Sequence, residues 1–244
     1  MLIATVPAAR AQRVERVPQP AKAEELFAMA NATRAQEGRR RLEWDEALAE
    51  AAMKHCLRMA AEGPISHRYS GEADLTERAG LAGAHFSLIE ENIAVGSYPA
   101  RIHQGWLESQ GHRENLLNPE INRVGIAVVA SQGVLFAVAD YAKSVQVLTQ
   151  TEVESKVGGL LRAAGLAVKR DSTDARASCR MDRGIQSAGA TFVMRWQDAD
   201  LSRLPPALVE HLASGRYRQA EVGNCPVHNG ESSFTTYRVA VLLY

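Results

Sequence analysis

The stretch Glu90-Glu91-Asn92-Ile93-Ala94, taken with Gly111-His112-Arg113-Glu114-Asn115-Leu116-Leu117 further on, decides how this chain is read. Between the two lies Pro99, whose missing N–H is harmless in the first turn of a helix. Ile102, Trp106 and Ser109 follow at helical spacing, and Gly111 breaks the run. His112 therefore stands just past a helix end and opens a second short helix, which Pro119 stops. Histidine changes charge near neutral pH and binds metals as neutral imidazole, so its position beside two carboxylates invites a functional reading. The competing reading is structural: Asn92 and Asn115 can satisfy loop backbone, and His112 can cap the helix it begins.

Other fragments fall into line with this stretch. They are Ser66-His67, Glu91-Asn92-Ile93-Ala94, Trp106, Ser109, Gly111-His112-Arg113 with Asn115, and Val124-Gly125-Ile126. Each alone is common, but in this order and spacing they resemble the CAP superfamily: cysteine-rich secretory proteins, antigen 5 and plant pathogenesis-related 1 proteins. The bacterial SCP-domain branch is the most similar, and the resemblance runs from about residue 24 to about residue 143. It implies an α-β-α sandwich with a surface cleft lined by two histidines and two acidic residues. Carried onto this chain, the cleft residues are His67, Glu91 and His112. In the better-known pattern a second carboxylate lies three residues after the tryptophan. Here that place is Ser109, and Glu108 comes one residue earlier, about a hundred degrees round the helix. Glu108 is thus the only candidate for a fourth member of the set.

Two imidazoles and a carboxylate supply ligands for zinc and leave a place for water. Zinc would bring that water's pKa towards neutrality. Without metal, the same groups can act as general acid and base. A carboxylate beside an imidazole favours the imidazolium, so both cleft histidines are expected to titrate above their usual value. Neither Ser66 nor Ser109 sits in a nucleophile elbow, and there is no glycine-rich phosphate loop. The leading expectation is an exported protein that binds an extracellular ligand or protein partner in this cleft, with zinc as the metal the set would take. The alternative is a hydrolase acting on peptide, lipid or cell-wall material. A third reading keeps the cluster as a polar network that only holds loops.

Lys+Arg and Asp+Glu both number 28 in the 244 residues, which gives no electrostatic case for a nucleic-acid partner. Arg39-Arg40-Arg41 reads as a solvated turn between helices. No apolar run reaches the length of a transmembrane segment. Met1 to Val6 is a short apolar run, and Ala9-Arg10-Ala11 before Gln12 has the small-x-small form of a signal cleavage site. Residues 1–22 are accordingly read as a signal remnant and an extended arm carrying Pro18 and Pro20, and the protein as secreted or periplasmic. None of the three cysteines lies in a Cys-x-x-Cys pair, so a structural zinc knot is not expected. Export permits one disulfide. Cys179 and Cys225, both in the second half and each beside an expected regular element, are the pair, with Cys56 left reduced.

The pattern along the chain is α+β. A first helix is expected from Ala23 to Gln36, ended by Gly38; its Asn31 and Arg34 resemble a polar pair usual in the first helix of the CAP superfamily, and hydrogen bonding at the surface explains them equally well. Asp45 caps a second helix whose buried stripe is Leu48, Ala52, His55 and Met59 beside Cys56, ended by Gly63-Pro64. His55 then reads as a core histidine with one satisfied nitrogen. A third helix spans Asp74 to Leu81. His85 and His103 are placed at the surface. Val124–Val129 and Val134–Tyr141 form a hairpin around Ser131-Gln132-Gly133. These elements make residues 23–145 the CAP-like domain. Beyond a polar stretch the pattern restarts: a helix at Val153–Leu161, a short strand at Leu166–Val168, and a strand from Ala190 to Trp196. Pro205-Pro206 then opens a helix closed by Gly215, with alternating strands at Arg218–Val222 and Tyr237–Leu243. Residues 150–244 are thus a second, smaller α+β unit. Val222-Gly223 echoes Val124-Gly125, which raises a degenerate half repeat. No histidine–carboxylate set recurs there, since His211 falls on an exposed helix face and His228 in a loop.

Overall fold

Pro20 opens the first helix, where its fixed φ suits the turn and its missing N–H costs nothing. The computed structural model describes residues 15–226 and 234–244. The apolar N-terminal run and His228 lie outside the described residues. Helix α1 (Pro20–Gln36) begins three residues earlier than the sequence reading placed it. Val17–Pro18, expected as arm, is a short strand, β1. Gly38, at φ +66°, takes the chain out of the helix, a conformation that glycine adopts without penalty.

Strand β2 (Glu43–Trp44) leads directly into α2 (Glu46–Glu62). The Asp45 carboxylate accepts the Leu48 N–H at 3.0 Å, capping the helix as its sequence predicts. The Trp44 ring meets Phe27 edge-on at 5.5 Å, which ties the entry of α2 to α1. Helix α3 (Leu75–Leu81) follows, capped by Asp74. Two differences from the sequence reading matter for the site. First, Phe86–Gly96 is an eleven-residue strand, β3, so Glu91 and Asn92 lie in the sheet and not in a loop or turn. Second, the helix break falls at Ser109 and not at Gly111. Helix α4 (Pro99–Glu108) stops there, and α5 (Gln110–Leu117) places His112 in its first turn. Strands β4 (Arg123–Ser131) and β5 (Val134–Ser144) form the expected hairpin. Its two turn residues, Gln132 and Gly133, both have positive φ, the form that matches strand twist.

These strands make one sheet in the order β1-β4-β5-β3, with β2 running parallel to β4 beside β1. Helix α2 lies on β4, and its Ala52, Cys56 and Met59 share a core with Ile93, Ala127, Val129 and Val138. The approach is close enough that a Cβ at Gly125 would lie 2.0 Å from the Ala49 backbone nitrogen. Only glycine fits there. His103, expected at the surface, is buried, and so are Asn31 and Arg34, for which surface hydrogen bonding was one of two readings. Asn31 clasps Leu42, donating to its carbonyl at 3.1 Å and accepting its N–H at 2.7 Å. Arg34 donates to the carbonyls of Arg40, Leu116 and Asn118. His103 faces α1, with Nε2 2.8 Å from Thr33 Oγ1, and burial lowers its pKa. The one-residue offset from Ile102 did not take it out of the helix's buried face. His85 and His211 are exposed, as expected.

The second half contains α6 (Gln150–Ala163), β6 (Ala167–Val168), α7 (Thr173–Cys179), β7 (Phe192–Asp198), α8 (Pro206–Ala213), β8 (Gln219–Cys225) and β9 (Tyr237–Leu243). Thr149 and Glu152 form a reciprocal capping box at the start of α6. Helix α7 escaped the sequence reading because its seven residues carry little apolar periodicity. The sheet runs β6-β8-β9-β7, with β6 parallel to β8 and the other pairs antiparallel. Its core joins Val153, Val157 and Leu161 of α6 to Val222, Val239, Val241 and Leu243. Cys179 and Cys225 are joined as a disulfide with Cα atoms 5.9 Å apart, and Cys56 is a buried free thiol.

By internal packing the described chain divides into two units. One comprises the residues up to Gly83 together with Ile89–Ala142; the other comprises Ala84–Leu88 together with Lys143–Tyr244. The short segment joins the second unit through its carbonyls: His85 accepts from Val145 N–H at 3.0 Å and Phe86 from Thr235 N–H at 2.9 Å. Among the described residues, no helix is long and apolar enough to cross a membrane.

Candidate functional site

Glu91 is the hub of the first unit's polar cluster. It sits on β3 with its side chain 3% exposed, and burying a carboxylate requires partners for both oxygens. One oxygen accepts from His67 Nδ1 at 2.7 Å. The other accepts from Arg78 Nη2 on α3, a charge-assisted contact at 2.5 Å. His67 comes from the segment after α2, whose freedom from regular structure lets it reach Glu91 while leaving its ring 59% exposed. Arg78 also donates to the His67 carbonyl at 3.2 Å, so it holds both the carboxylate and the loop that presents the imidazole.

His112 enters from α5. Its position is set by two amides that bind strand to helix. Asn92 Nδ2 donates to the His112 carbonyl at 2.8 Å, and Asn115 Nδ2 donates to Asn92 Oδ1 at 3.0 Å and to the Glu91 carbonyl at 3.2 Å. The two asparagines therefore do satisfy backbone, as the structural reading held, and in doing so they aim the site. The His67 and His112 rings stand 6.4 Å apart between centroids, inclined at 51°. The three residues expected to converge do so. The expected upward pKa shift does not hold at His112: burial, and next the charge on His67, lower it. Its imidazole is kept neutral.

Glu108 is not part of the cluster. It is exposed on α4, accepting from Gln104 at 3.0 Å and lying 3.5 Å from Arg101, as the rotation from Ser109 implies. His55 is buried with both nitrogens engaged, not one: Nδ1 lies 2.7 Å from Glu72 Oε1 and Nε2 lies 2.9 Å from the Ser66 carbonyl. It thereby fixes the residue before His67, and its Nε2 is 3.9 Å from Glu91. Burial raises the Glu72 carboxyl, but hydrogen bonds from His55 and the Tyr69 N–H outweigh it and bring the pKa down.

Sequence reasoning missed Arg78, Glu72 and Asp140. Arg78 lies on a seven-residue helix too short to show a face. Asp140 had a readable signal: a carboxylate inside the apolar run Val134 to Tyr141 of a strand. It is wholly buried, beside Glu91. Burial together with the Glu91 charge raises its pKa well above the usual range. The neutral acid is favoured, which spares Glu91 a second negative charge.

This geometry bears on the zinc expectation. Among the described residues, no group of three or more His, Cys, Asp or Glu side chains is arranged to hold a metal ion. Both Glu91 oxygens are taken by His67 and Arg78, so the expected three-ligand set reduces to two imidazoles. The pairing of His67 Nδ1 with a carboxylate is the outer-shell arrangement that orients a metal-binding histidine, and it leaves Nε2 for a ligand.

The comparisons agree with the fold. Residues 27–141 match the family described as "CAP: Cysteine-rich secretory protein family". The "Uncharacterized membrane protein YlbC" of Bacillus subtilis is 33% identical over 106 residues, covering 43% of this chain and 30% of that protein. The "Uncharacterized protein YkwD" of the same organism is 30% identical over 107 residues, covering 42% of this chain and 40% of that protein. The chain thus spans well under half the length of these curated relatives. An outer surface protein of Borrelia burgdorferi superposes with a TM-score of 0.51 at 20% identity, over 54% of this chain and 99% of that one. Residues 27–141 are thus a domain that matches the CAP family and is similar to bacterial proteins of that kind, and the domain has the family's α-β-α sandwich.

Proposed function

We propose that the protein is exported and that its CAP domain binds an extracellular ligand or protein partner at the His67–Glu91–His112 site, with a divalent metal, zinc, held by the two imidazoles. The observation that carries this is the exposed His67 ring anchored through Nδ1 to a buried carboxylate, 6.4 Å from a second imidazole. Holding an exposed imidazole in a fixed pose costs side-chain entropy, which a binding role explains and a packing role does not. His112, kept neutral, is in the form that accepts a metal or a ligand proton. Glu91, Arg78 and Asn92 orient the pair. Zinc, when bound, would supply Lewis acidity. With two protein ligands, affinity is modest and the site open.

The test is zinc titration calorimetry at two pH values on the wild type, His67→Ala, His112→Ala and His55→Ala. Loss of binding in the two cleft variants, with binding kept in folded His55→Ala, supports the reading. Wild-type affinity in both cleft variants would sink it. The alternative, a hydrolase of peptide, lipid or cell-wall material, has one observation in its favour: a neutral His112 is competent as a general base. Turnover of any such substrate that is lost in His112→Ala would establish it.

Export rests on the Cys179–Cys225 disulfide, a bond that persists in oxidising compartments. Cell fractionation of the producing organism is the check. The second unit is read as a reduced repeat of the first. Its strand path β6-β8-β9-β7 follows the same order as β2-β4-β5-β3, and in both the first pair is parallel and the next antiparallel. Gly223 meets the third and fourth residues of α7, Ala175 and Arg176, as Gly125 meets Leu48 and Ala49 of α2. No histidine–carboxylate site accompanies it among the described residues, so recognition falls to the first unit.

A further inference from the structure

Asp140 faces helix α2 from the middle of β5. Its partner across the ladder is Gly125 of β4, and directly paired residues carry their side chains on one face. An added Cβ at Gly125 would strike α2, so that face is the α2 face. Val138, two residues before Asp140, packs into the core that α2 shares with the sheet. On β3, the next strand beyond β5, Ile93 packs into the same core, and Glu91, two residues earlier, faces the same way. Asp140 and Glu91 are thus neighbours on one dry face, 0% and 6% exposed. Two carboxyl groups so placed cannot both ionise cheaply, and Arg78 already balances the charge of Glu91.

The polar groups that the neighbouring helices bring to this face bond elsewhere. On α2, Cys56 Sγ donates to the Phe136 carbonyl at 3.2 Å, and His55 places Nδ1 on Glu72 and Nε2 on the Ser66 carbonyl. On α3, Arg78 donates to Glu91 and to the carbonyls of His67 and Ala73. An ionised Asp140 would be an acceptor that none of these bonds serves, whereas a neutral carboxylic acid is itself a donor. Burial and then the Glu91 charge favour that neutral form. Glu91 has lone pairs to spare: a carboxylate offers about four acceptor sites, and His67 Nδ1 and Arg78 Nη2 each use one. We propose that Asp140 is a positioning residue of the histidine site: as a neutral acid it donates a hydrogen bond to Glu91, and through Glu91 it fixes the exposed His67 ring. This rests on the binding role proposed above for that ring. A carboxylate held by three donors on three different elements cannot swing, so His67 keeps its proton on Nδ1 and leaves Nε2 to the ligand.

The experiment is NMR of the carboxyl carbons and imidazole nitrogens of the full chain, without metal, at about pH 7.5, above the ordinary histidine value. Wild type, Asp140→Asn and Asp140→Ala are compared. The wild-type Asp140 carboxyl carbon is expected at the shift of the protonated acid. His67 is expected as the Nδ1–H tautomer in the wild type and in Asp140→Asn, whose amide donates in place of the acid. In Asp140→Ala the Nε2–H tautomer should become populated, and zinc, added afterwards, should bind about tenfold more weakly than to the wild type or Asp140→Asn. A side chain that served packing alone would lower the melting temperature of Asp140→Ala and leave the His67 tautomer as it was. The proposal is overturned by an ionised Asp140 in the wild type, by the wild-type tautomer in folded Asp140→Ala, or by Asp140→Asn losing that tautomer. If Asp140→Ala does not fold, the wild-type carboxyl shift and Asp140→Asn decide. A wild type that does not bind zinc would count against the metal reading alone, because the carboxyl shift and the tautomer are read without metal.

Discussion

His67 Nδ1 and Glu91 Oε1 lie 2.7 Å apart, one side chain 59% exposed and the other 3%. A solvent-facing imidazole is thus tied to a carboxylate that cannot move, because Arg78 holds its other oxygen. Glu91→Gln should therefore act twice. It should weaken zinc at His67 and His112 by about 10–100-fold, the usual effect of losing an outer-shell partner. It should also lower stability by about 3–5 kcal/mol, because the Arg78 charge is left buried without its counter-ion. Calorimetry and urea denaturation read the two effects separately. A variant that binds zinc like the wild type would remove Glu91 from the site.

His112 makes a pH prediction of definite sign. Burial and the neighbouring His67 lower its folded-state pKa, so the fold prefers the neutral ring. The unfolded chain then binds more protons over the window below the ordinary histidine value, about 6.5. Stability is complete above that value and declines as pH falls through the lowered pKa. His112→Gln should remove that part of the acid sensitivity. Imidazole proton shifts followed by NMR should give a midpoint below about 6.5, and a midpoint above it would contradict this burial. Zinc competes with protons for the same nitrogens, so its binding should also weaken with acid.

Thiol chemistry separates the cysteines. The unfolded, unreduced chain should show one free thiol, Cys56. In the native protein that thiol should react very slowly, since burial pushes its pKa up to about 12 and little thiolate forms. Reducing the Cys179–Cys225 bond, which spans a separation of 46 residues, should cost about 4 kcal/mol in the chain-entropy account. Three thiols on the unreduced chain would exclude the bond.

The two packing glycines offer a matched pair of tests. Added Cβ atoms would lie 2.0 Å from Ala49 N at Gly125 and 2.2 Å from Arg176 N at Gly223, both against backbone that cannot turn aside. Each alanine variant should lose about 3 kcal/mol or more. If the units melt separately, Gly125→Ala should lower only the transition reported by Trp44 and Trp106, and Gly223→Ala only that reported by Trp196. Near-neutral effects of either substitution would mean that helix and strand do not meet as described.

Local signals were legible in the sequence wherever a residue acts through its own neighbours. Asp45 before an apolar run fixes where α2 starts, Gln132-Gly133 fixes the hairpin, and Pro99 opens α4. The order of Glu91-Asn92, Trp106 and Gly111-His112 was enough to name the superfamily and three members of the site. What the sequence could not show depends on contacts between distant segments. Arg78 reaches Glu91 from thirteen residues away, Arg34 holds carbonyls more than eighty residues on, and Asp140 becomes a neutral acid only because the sheet buries it beside Glu91. The buried face of His103 was decided in the same way, whereas the outward turn of Glu108 followed from its rotation round the helix relative to Ser109. Chain-local chemistry sets where elements begin and end. Which oxygen meets which nitrogen, and at what protonation, follows from desolvation and long-range packing, which exist only once the chain has folded.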